Sequence, residues 1–582
     1  MEKDLAFKSN DNPMFRSKFS DDIFKHKYAH KTDDDFPGAE TWETLAFTLV
    51  EDVCGGLMSP DERVALFEMI RDLKFIPGGR YLYYAGRPNK FFNNCYLLRS
   101  EEDSREDWAN LSWKAESALM TGGGIGNDYS RYREEGAPIS RTGGRASGPI
   151  PKMQMINEIG RRVMQGGSRR SALYASLDRT HPDVWKFLVS KNWDEMPVGT
   201  TGYTLWDLKQ QDFNFPAPLD MTNISVNYKT DWLYPEGGDW EAAPTSGVWR
   251  GSHTDPVFVK NVEQALRTAE PGFSFNFFER ENETLRNACT EVTSEDDSDV
   301  CNLGSINLGR IETLTELANV TALATKFLVC GTLKAQLPYQ KVYEVREKNR
   351  RLGLGLMGVH EWLLKRGSRY EVTPELHLWL QTWKTTSDAY GDEFADKLGI
   401  SRPVAKRAIA PTGSIGILAG TTTGIEPLFA VAYKRRYLKG QSDWAYQYVV
   451  DGTAQELIDV YGLDPDSIES AGDLAQDYER RIAFQADVQD YVDQAISSTI
   501  NLPAWGSEHN NPDTVDGFAL TLARYAPRLR GFTCYPDAAR GGQPLTIVPY
   551  SEAVDKLGQE FYESIQTHDI CDISGKGGSC GV

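Results

Sequence analysis

Apolar and polar positions follow two periods along most of this chain. In residues 59–73, SPDERVALFEMIRDL, the spacing of Val64, Phe67, Ile70 and Leu73 predicts an amphipathic helix. Ser59 is placed to cap it, Pro60 suits its first turn, and Glu62 completes a capping box. From about 75 to 550, short apolar runs alternate with helical patterns: LGLGLMGVHEWLLKRG (352–367), AIAPTGSIGILAGTTTGIEPLFAVA (408–432), and GFTCY followed by LTIVPYSEAVDKLGQEFYESI. Strand, glycine turn, helix is the α/β pattern. Residues 1–40, polar and with three aspartates at 33–35, predict a loosely docked start. The prolines, tryptophans and glycines of 213–256 predict an irregular insertion, and the closing CDISGKGGSCGV a mobile tail.

Composition narrows the class. The chain has 582 residues, 40% hydrophobic and 25% charged, which suits one large globular catalytic domain with appendages. A net charge of −20 argues against a general nucleic-acid surface and leaves room for a local basic pocket. With no apolar run of membrane length and no apolar signal core, the expectation is a cytoplasmic chain that engages no membrane. There its eight cysteines (54, 95, 289, 301, 330, 534, 571 and 580) are expected to be reduced, and catalytic, metal-binding or inert rather than a disulfide framework. The absence of any CxxC argues against a ribbon-type zinc site.

The chemistry concentrates in NACTEVTSEDDSDVCNLGSINL, residues 287–308. Asn287, Cys289 and Glu291 alternate, so in an extended segment they share a face, and Cys301 follows twelve residues after Cys289. Cys54 and Cys330 read as small core residues, while Cys95 opens a strand-like run in FFNNCYLL. Cys571 and Cys580 sit in the tail, where a core role is implausible. Buried thiols plus a terminal pair make a relay for disulfide exchange. TGGGIGND (121–128) lacks the third glycine of a dinucleotide fingerprint and reads as a glycine turn; no GxxxxGK[ST] occurs. APTGSIG (410–416) suits a phosphate or a tight turn equally well. Arg169 and Arg170, after two glycines in 164–183, suit a loop that grips phosphate or base, or else a solvated turn.

Together NNCYLL, NACTE, CNLGSINL, RLGLGLMG and APTGSIGILAG…GIEP resemble the catalytic subunit of ribonucleotide reductases, over residues 75 to 582. The resemblance implies a ten-stranded α/β barrel with a central finger loop over 75–555, after a helical region (1–74) and before a helix end and mobile redox tail (556–582). It implies that Cys289 forms a thiyl radical, Glu291 acts as base, Asn287 holds the sugar, and Cys95 with Cys301 ends as a disulfide that Cys571 and Cys580 reduce. Asn94 and Pro411, Thr412, Gly413, Ser414 and Ile415 would bind substrate. Asp103, Ser104, Arg141, Gln165, Gly167 and Arg169 would bind a deoxynucleoside triphosphate effector.

The implied partners are a ribonucleoside di- or triphosphate substrate, a thioredoxin- or glutaredoxin-like reductant and a second copy of the chain. The radical would come from adenosylcobalamin, or from a separate metal-containing subunit through two adjacent tyrosines. RGFTCYPDAARGGQP offers Tyr535 alone at that position, and this favours adenosylcobalamin. Three departures stand out. There is no clear ATP-cone counterpart, the tail cysteines are separated by eight residues, and FIPGG (75–79) stands where relatives often carry a hydroxyl. A non-catalytic nucleotide-binding protein would have no use for the thiols. A metalloprotein with cysteine ligands is the other rival.

Overall fold

The computed structural model describes residues 14–30, 40–140, 143–163, 171–212, 215–233, 252–439, 443–537, 539 and 545–563. The first strands are β1 (Phe75–Pro77), β2 (Cys95–Arg99), β3 (Gly124–Asp128), β4 (Leu173–Asp178), β5 (Thr222–Tyr228) and β6 (Gly272–Phe275). Then come the short β7 (Leu285–Arg286) and β8 (Thr293–Ser294), and the longer β9 (Asp299–Asn307) and β10 (Leu352–Met357). The last are β11 (Ala432–Lys439), β12 (Asp443–Val450), β13 (Thr499–Leu502), β14 (Gly531–Pro536), β15 (Leu545–Ile547) and β16 (Glu560–Glu563).

Strands β2 to β6 pair in parallel in chain order. On one side β9 runs antiparallel to β2 and carries β10 in parallel; on the other β14 runs antiparallel to β6 and carries β13 in parallel. The gap between β10 and β13 is bridged by residues 405–409. Leu352 N donates to Ala405 O (2.9 Å) and Leu354 N to Lys406 O (3.0 Å), while Ile409 N donates to Ala495 O (3.2 Å) and Ser497 N to Ile409 O (2.8 Å). Both bridges of this segment, Leu354 with Arg407 and Ile409 with Ile496, are parallel. The ring therefore closes as two antiparallel halves of five staves, which matches the expected barrel.

Staves covered on both faces read as continuous apolar or small runs, and LGLGLM of β10 is buried at every position. The same burial explains β5. Its segment, expected to be an irregular insertion, is a central stave, disguised in sequence by its proline- and tryptophan-rich flanks. β7 and β8 pair antiparallel inside the ring, Leu285 opposite Ser294, and form the finger. The finger passes so close to β3 that a Cβ on Gly126 would stand 1.6 Å from Arg286 O, so only glycine fits there.

Helix Pro60–Arg71 has the expected capping box between Ser59 and Glu62. Of its expected stripe, Ile70 and Leu73 are buried and Phe67 lies edge-on to Phe47 of helix Trp42–Cys54 at 6.1 Å; Leu66 is buried in addition, and Val64 is 58% exposed. The N-terminal segment also differs from expectation. Ser17 caps helix Lys18–Lys27, and Phe15, Phe24 and Tyr28 are buried, Phe24 lying edge-on to Trp42 at 6.0 Å. A separate antiparallel sheet, β15-β11-β12-β16, lies late in the chain and extends past residue 555. Among the described residues no helix is long and apolar enough to cross a membrane.

Candidate active site

The antiparallel register of β2 and β9 sets Cys95 directly opposite Cys301. Such partners have Cα atoms about 4.5–5.5 Å apart, inside the span of about 4.4–6.8 Å that a disulfide needs. Both thiols are buried in one apolar cluster with Leu285 and Val292 of the finger. Loss of hydration, with the Glu291 carboxyl nearby, pushes the Cys95 thiol well up; burial does the same to Cys301. Each is therefore held as a neutral thiol. Gly353 of β10 leaves space for the second one, since a Cβ there would stand 3.1 Å from Cys301 Sγ.

The finger tip is a turn, not the extended segment that alternation suggested. Thr290 N donates to Asn287 O (3.0 Å) and Thr290 takes φ +70°. The chain must reverse between β7 and β8, and that requirement overrides local pattern. The turn still brings Asn287, Cys289 and Glu291 onto the same cavity as Cys95. Asn287 Nδ2 donates to Cys95 Sγ (3.0 Å), and its Oδ1 accepts from Val292 N (3.0 Å). Asn223 of β5 steadies the tip by donating to Ala288 O (2.9 Å). Glu291 is buried with no hydrogen-bond partner for Oε2 among the described residues, and burial pushes its carboxyl up to about 7. Cys289 is half-buried, so it is the accessible thiol of the three.

The facing wall is built from Gly78, Gly79, Asn94 and Pro411, Thr412, Gly413, Ser414 and Ile415, all lining the cavity. Thr412 (φ +51°) turns the chain into helix Gly413–Ala419, its Oγ1 accepting from Gly424 N (2.8 Å). Asn94 Oδ1 is buried without a partner among the described residues. Two residues that sequence reasoning missed complete this wall. Tyr28 lines the cavity, and Lys27 Nζ donates to Ser414 Oγ (3.1 Å). Their sequence signal is the Ser17 cap with Phe24 and Tyr28 four apart, masked by the surrounding charge.

The other expected site residues lie elsewhere. Asp103 pairs with Arg133, and Ser104 caps helix Arg105–Met120, accepting from Asp107 N (3.2 Å). Both follow the end of β2 away from Cys95, and neither lines the cavity. Tyr535 sits on β14 opposite Asn501 and does not line the cavity either. Its neighbour Cys534 is buried, donates to Ala265 O (3.5 Å) and is pushed up to about 12 by burial. Cys54 and Cys330 are buried in the core. Arg141, Gln165, Gly167, Arg169, Cys571 and Cys580 lie outside the described residues. Among the described residues, no group of three or more His, Cys, Asp or Glu side chains is placed to hold a metal.

Comparison with known proteins adds an independent line. The family "Ribonucleotide reductase, barrel domain" matches residues 93–214, 262–385 and 402–526, more than half of the chain. A vitamin B12-dependent ribonucleoside-diphosphate reductase of Mycobacterium tuberculosis is 27% identical over 85% of this chain and 73% of its own length. The protein of the same name from Thermoplasma acidophilum is 26% identical over 82% of this chain and 66% of its own. A Mycobacterium phage D29 protein whose name refers to an adenosylcobalamin-dependent ribonucleoside-triphosphate reductase is 28% identical over 81% of this chain and 73% of its own.

Proposed function

Because the chain belongs to the ribonucleotide reductase family, as a class II-like catalytic subunit that reduces ribonucleotides, we propose that it does so by thiyl-radical chemistry in the cavity lined by Cys95 and Cys289, with Cys301 paired to Cys95 and adenosylcobalamin as radical source. The observation that carries this reading is the cross-strand pairing of Cys95 with Cys301 beneath a finger tip bearing Cys289.

A ribose carbon–hydrogen bond is too strong for acid–base chemistry, so a sulfur radical at Cys289 takes the 3′-hydrogen atom. Glu291 then accepts the 3′-hydroxyl proton, and a carboxyl poised near neutrality is matched to that task. Asn287, which contacts Cys95 at the same tip, holds the sugar in register. The 2′-hydroxyl departs as water with a proton from the Cys95/Cys301 pair, whose neutral thiols are kept protonated by burial. That pair supplies two electrons and closes to a disulfide, and Cys289 returns its hydrogen atom to the 3′-carbon. One ribonucleotide and one dithiol become one deoxyribonucleotide, one disulfide and one water. Cys571 and Cys580 then reduce the disulfide and are recharged by a thioredoxin- or glutaredoxin-like protein.

Asn94 contacts the substrate, and Pro411–Ile415 hold its phosphates. A deoxynucleoside triphosphate effector engages Asp103, Ser104, Arg141, Gln165, Gly167 and Arg169, in a homodimer. The cavity fits the proposed cofactor in one respect: Cys289 is half-buried while Cys95 and Cys301 are buried, so the tip thiol is the one a group outside the barrel can reach most directly. When bound, adenosylcobalamin supplies the one-electron oxidising equivalent that makes Cys289 a radical.

The test is an assay of the purified chain with ribonucleoside di- or triphosphate, effector, dithiol and adenosylcobalamin. Deoxynucleotide should form, and Cys289→Ser should form none while still binding nucleotide. No turnover, with activity restored by a metal-loaded partner protein, would overturn the cofactor assignment. Turnover by Cys289→Ser would put the radical elsewhere.

A further inference from the structure

We propose that helix Lys18–Lys27 is part of the substrate site and that Lys27 supplies the positive charge against which the substrate's terminal phosphate seats; the inference rests on the reductase reading of the cavity. A nucleotide brings at least two negative charges into a cleft whose lining already includes a carboxyl, Glu291. Among the described residues lining that cavity there is no Lys or Arg. The loop 411–415 offers backbone N–H groups and two hydroxyls, one of which, that of Thr412, already accepts from Gly424 N. Neutral donors orient a phosphate, but a charged partner roughly doubles the strength of each bond. Lys27 Nζ, donating to the other hydroxyl, that of Ser414, at 3.1 Å, stands where that charged partner is needed.

The position is built into the fold. Arg16 Nη1 donates to Gly420 O (2.6 Å), Ser20 Oγ to Ile417 O (2.7 Å), and Lys27 Nζ to Ser414 Oγ (3.1 Å). Rising numbers meet falling ones, so the N-terminal helix lies antiparallel along helix Gly413–Ala419 and delivers its last residue to the phosphate loop. Arg16 anchors the far end through the buried Glu361 (2.9 Å) and through Glu456 (2.7 Å). Tyr28, the next residue, is buried in the cavity wall with its hydroxyl beside Gly79. Lys27 is thus held from both sides, while its own head stays at the rim, where an outer phosphate ends.

The experiment compares cytidine 5′-diphosphate with cytidine by calorimetry on the full-length protein. Lys27→Gln should weaken the diphosphate roughly tenfold and blunt its salt dependence, leaving cytidine unchanged. Lys27→Arg should retain the diphosphate preference. Lys25→Gln, whose lysine pairs with Asp21 at 2.7 Å, should behave as wild type. Equal weakening of both ligands by Lys27→Gln would reduce the helix to a structural prop and overturn the proposal, as would no weakening at all. A wild-type chain that does not prefer the diphosphate would instead sink the reductase reading of the cavity, and this proposal with it.

Discussion

Glu291 is the residue whose environment says most about its work. Its carboxyl is buried, one oxygen lacks a partner among the described residues, and its pKa is pushed up to about 7 from 4.5. Two consequences have opposite signs. As a base it must be ionised, so turnover should rise as pH increases through about 7. For folding, a raised carboxyl pKa means stability that is fully present below about 4.5 and lost as pH climbs through about 7. The shift corresponds to about 2–4 kcal/mol. Glu291→Gln should therefore abolish turnover and flatten the fall of melting temperature between pH 5 and pH 8. A variant with the wild-type stability profile would show that the carboxyl is not the group responsible. At this scale much was legible: Asn287, Cys289 and Glu291 stood out as a set by spacing alone. Their turn geometry did not, because alternation reports a strand only where a neighbouring strand stabilises one. Tyr28 and Lys27 were hidden by a locally charged sequence.

At the scale of elements, capping was the readable part. Ser59, Pro60 and Glu62 marked a helix start that the structure reproduces. Three of the four positions of its expected apolar stripe also hold, with Ile70 and Leu73 buried and Phe67 against Phe47 of helix Trp42–Cys54; Val64 alone is exposed, because periodicity cannot say where a stripe leaves the core at the first turn. The finger depends on a contact no local pattern encodes, the approach of Arg286 O to Gly126. Gly126→Ala should push the finger off β3, costing at least about 2 kcal/mol in chemical denaturation and most of the activity. Activity near wild type in that variant would mean the finger tolerates displacement.

The whole ring was legible only through resemblance, because its closure runs through residues 405–409, whose role is set by hydrogen bonds to segments far away in the chain. Two antiparallel seams join its halves, and they are secured differently. Across the β6–β14 seam the root of the finger reaches over both strands: Arg286 Nη2 donates to Phe275 O (3.4 Å), Arg530 O (3.2 Å) and Asn276 Oδ1 (2.6 Å). Across the β2–β9 seam stand Cys95 and Cys301. On the proposed chemistry, every product released leaves a covalent rivet in that second seam, fastening half-barrel to half-barrel until a reductant draws it. The spent enzyme should then be the stiffer one, melting roughly a few degrees higher than the recharged form in scanning calorimetry, because the rivet ties off a long loop of the unfolded chain. Cys301→Ser should melt alike in both conditions. The barrel would act as its own turnover gauge, clenched after each cycle and eased by the same electrons that ready it for the next.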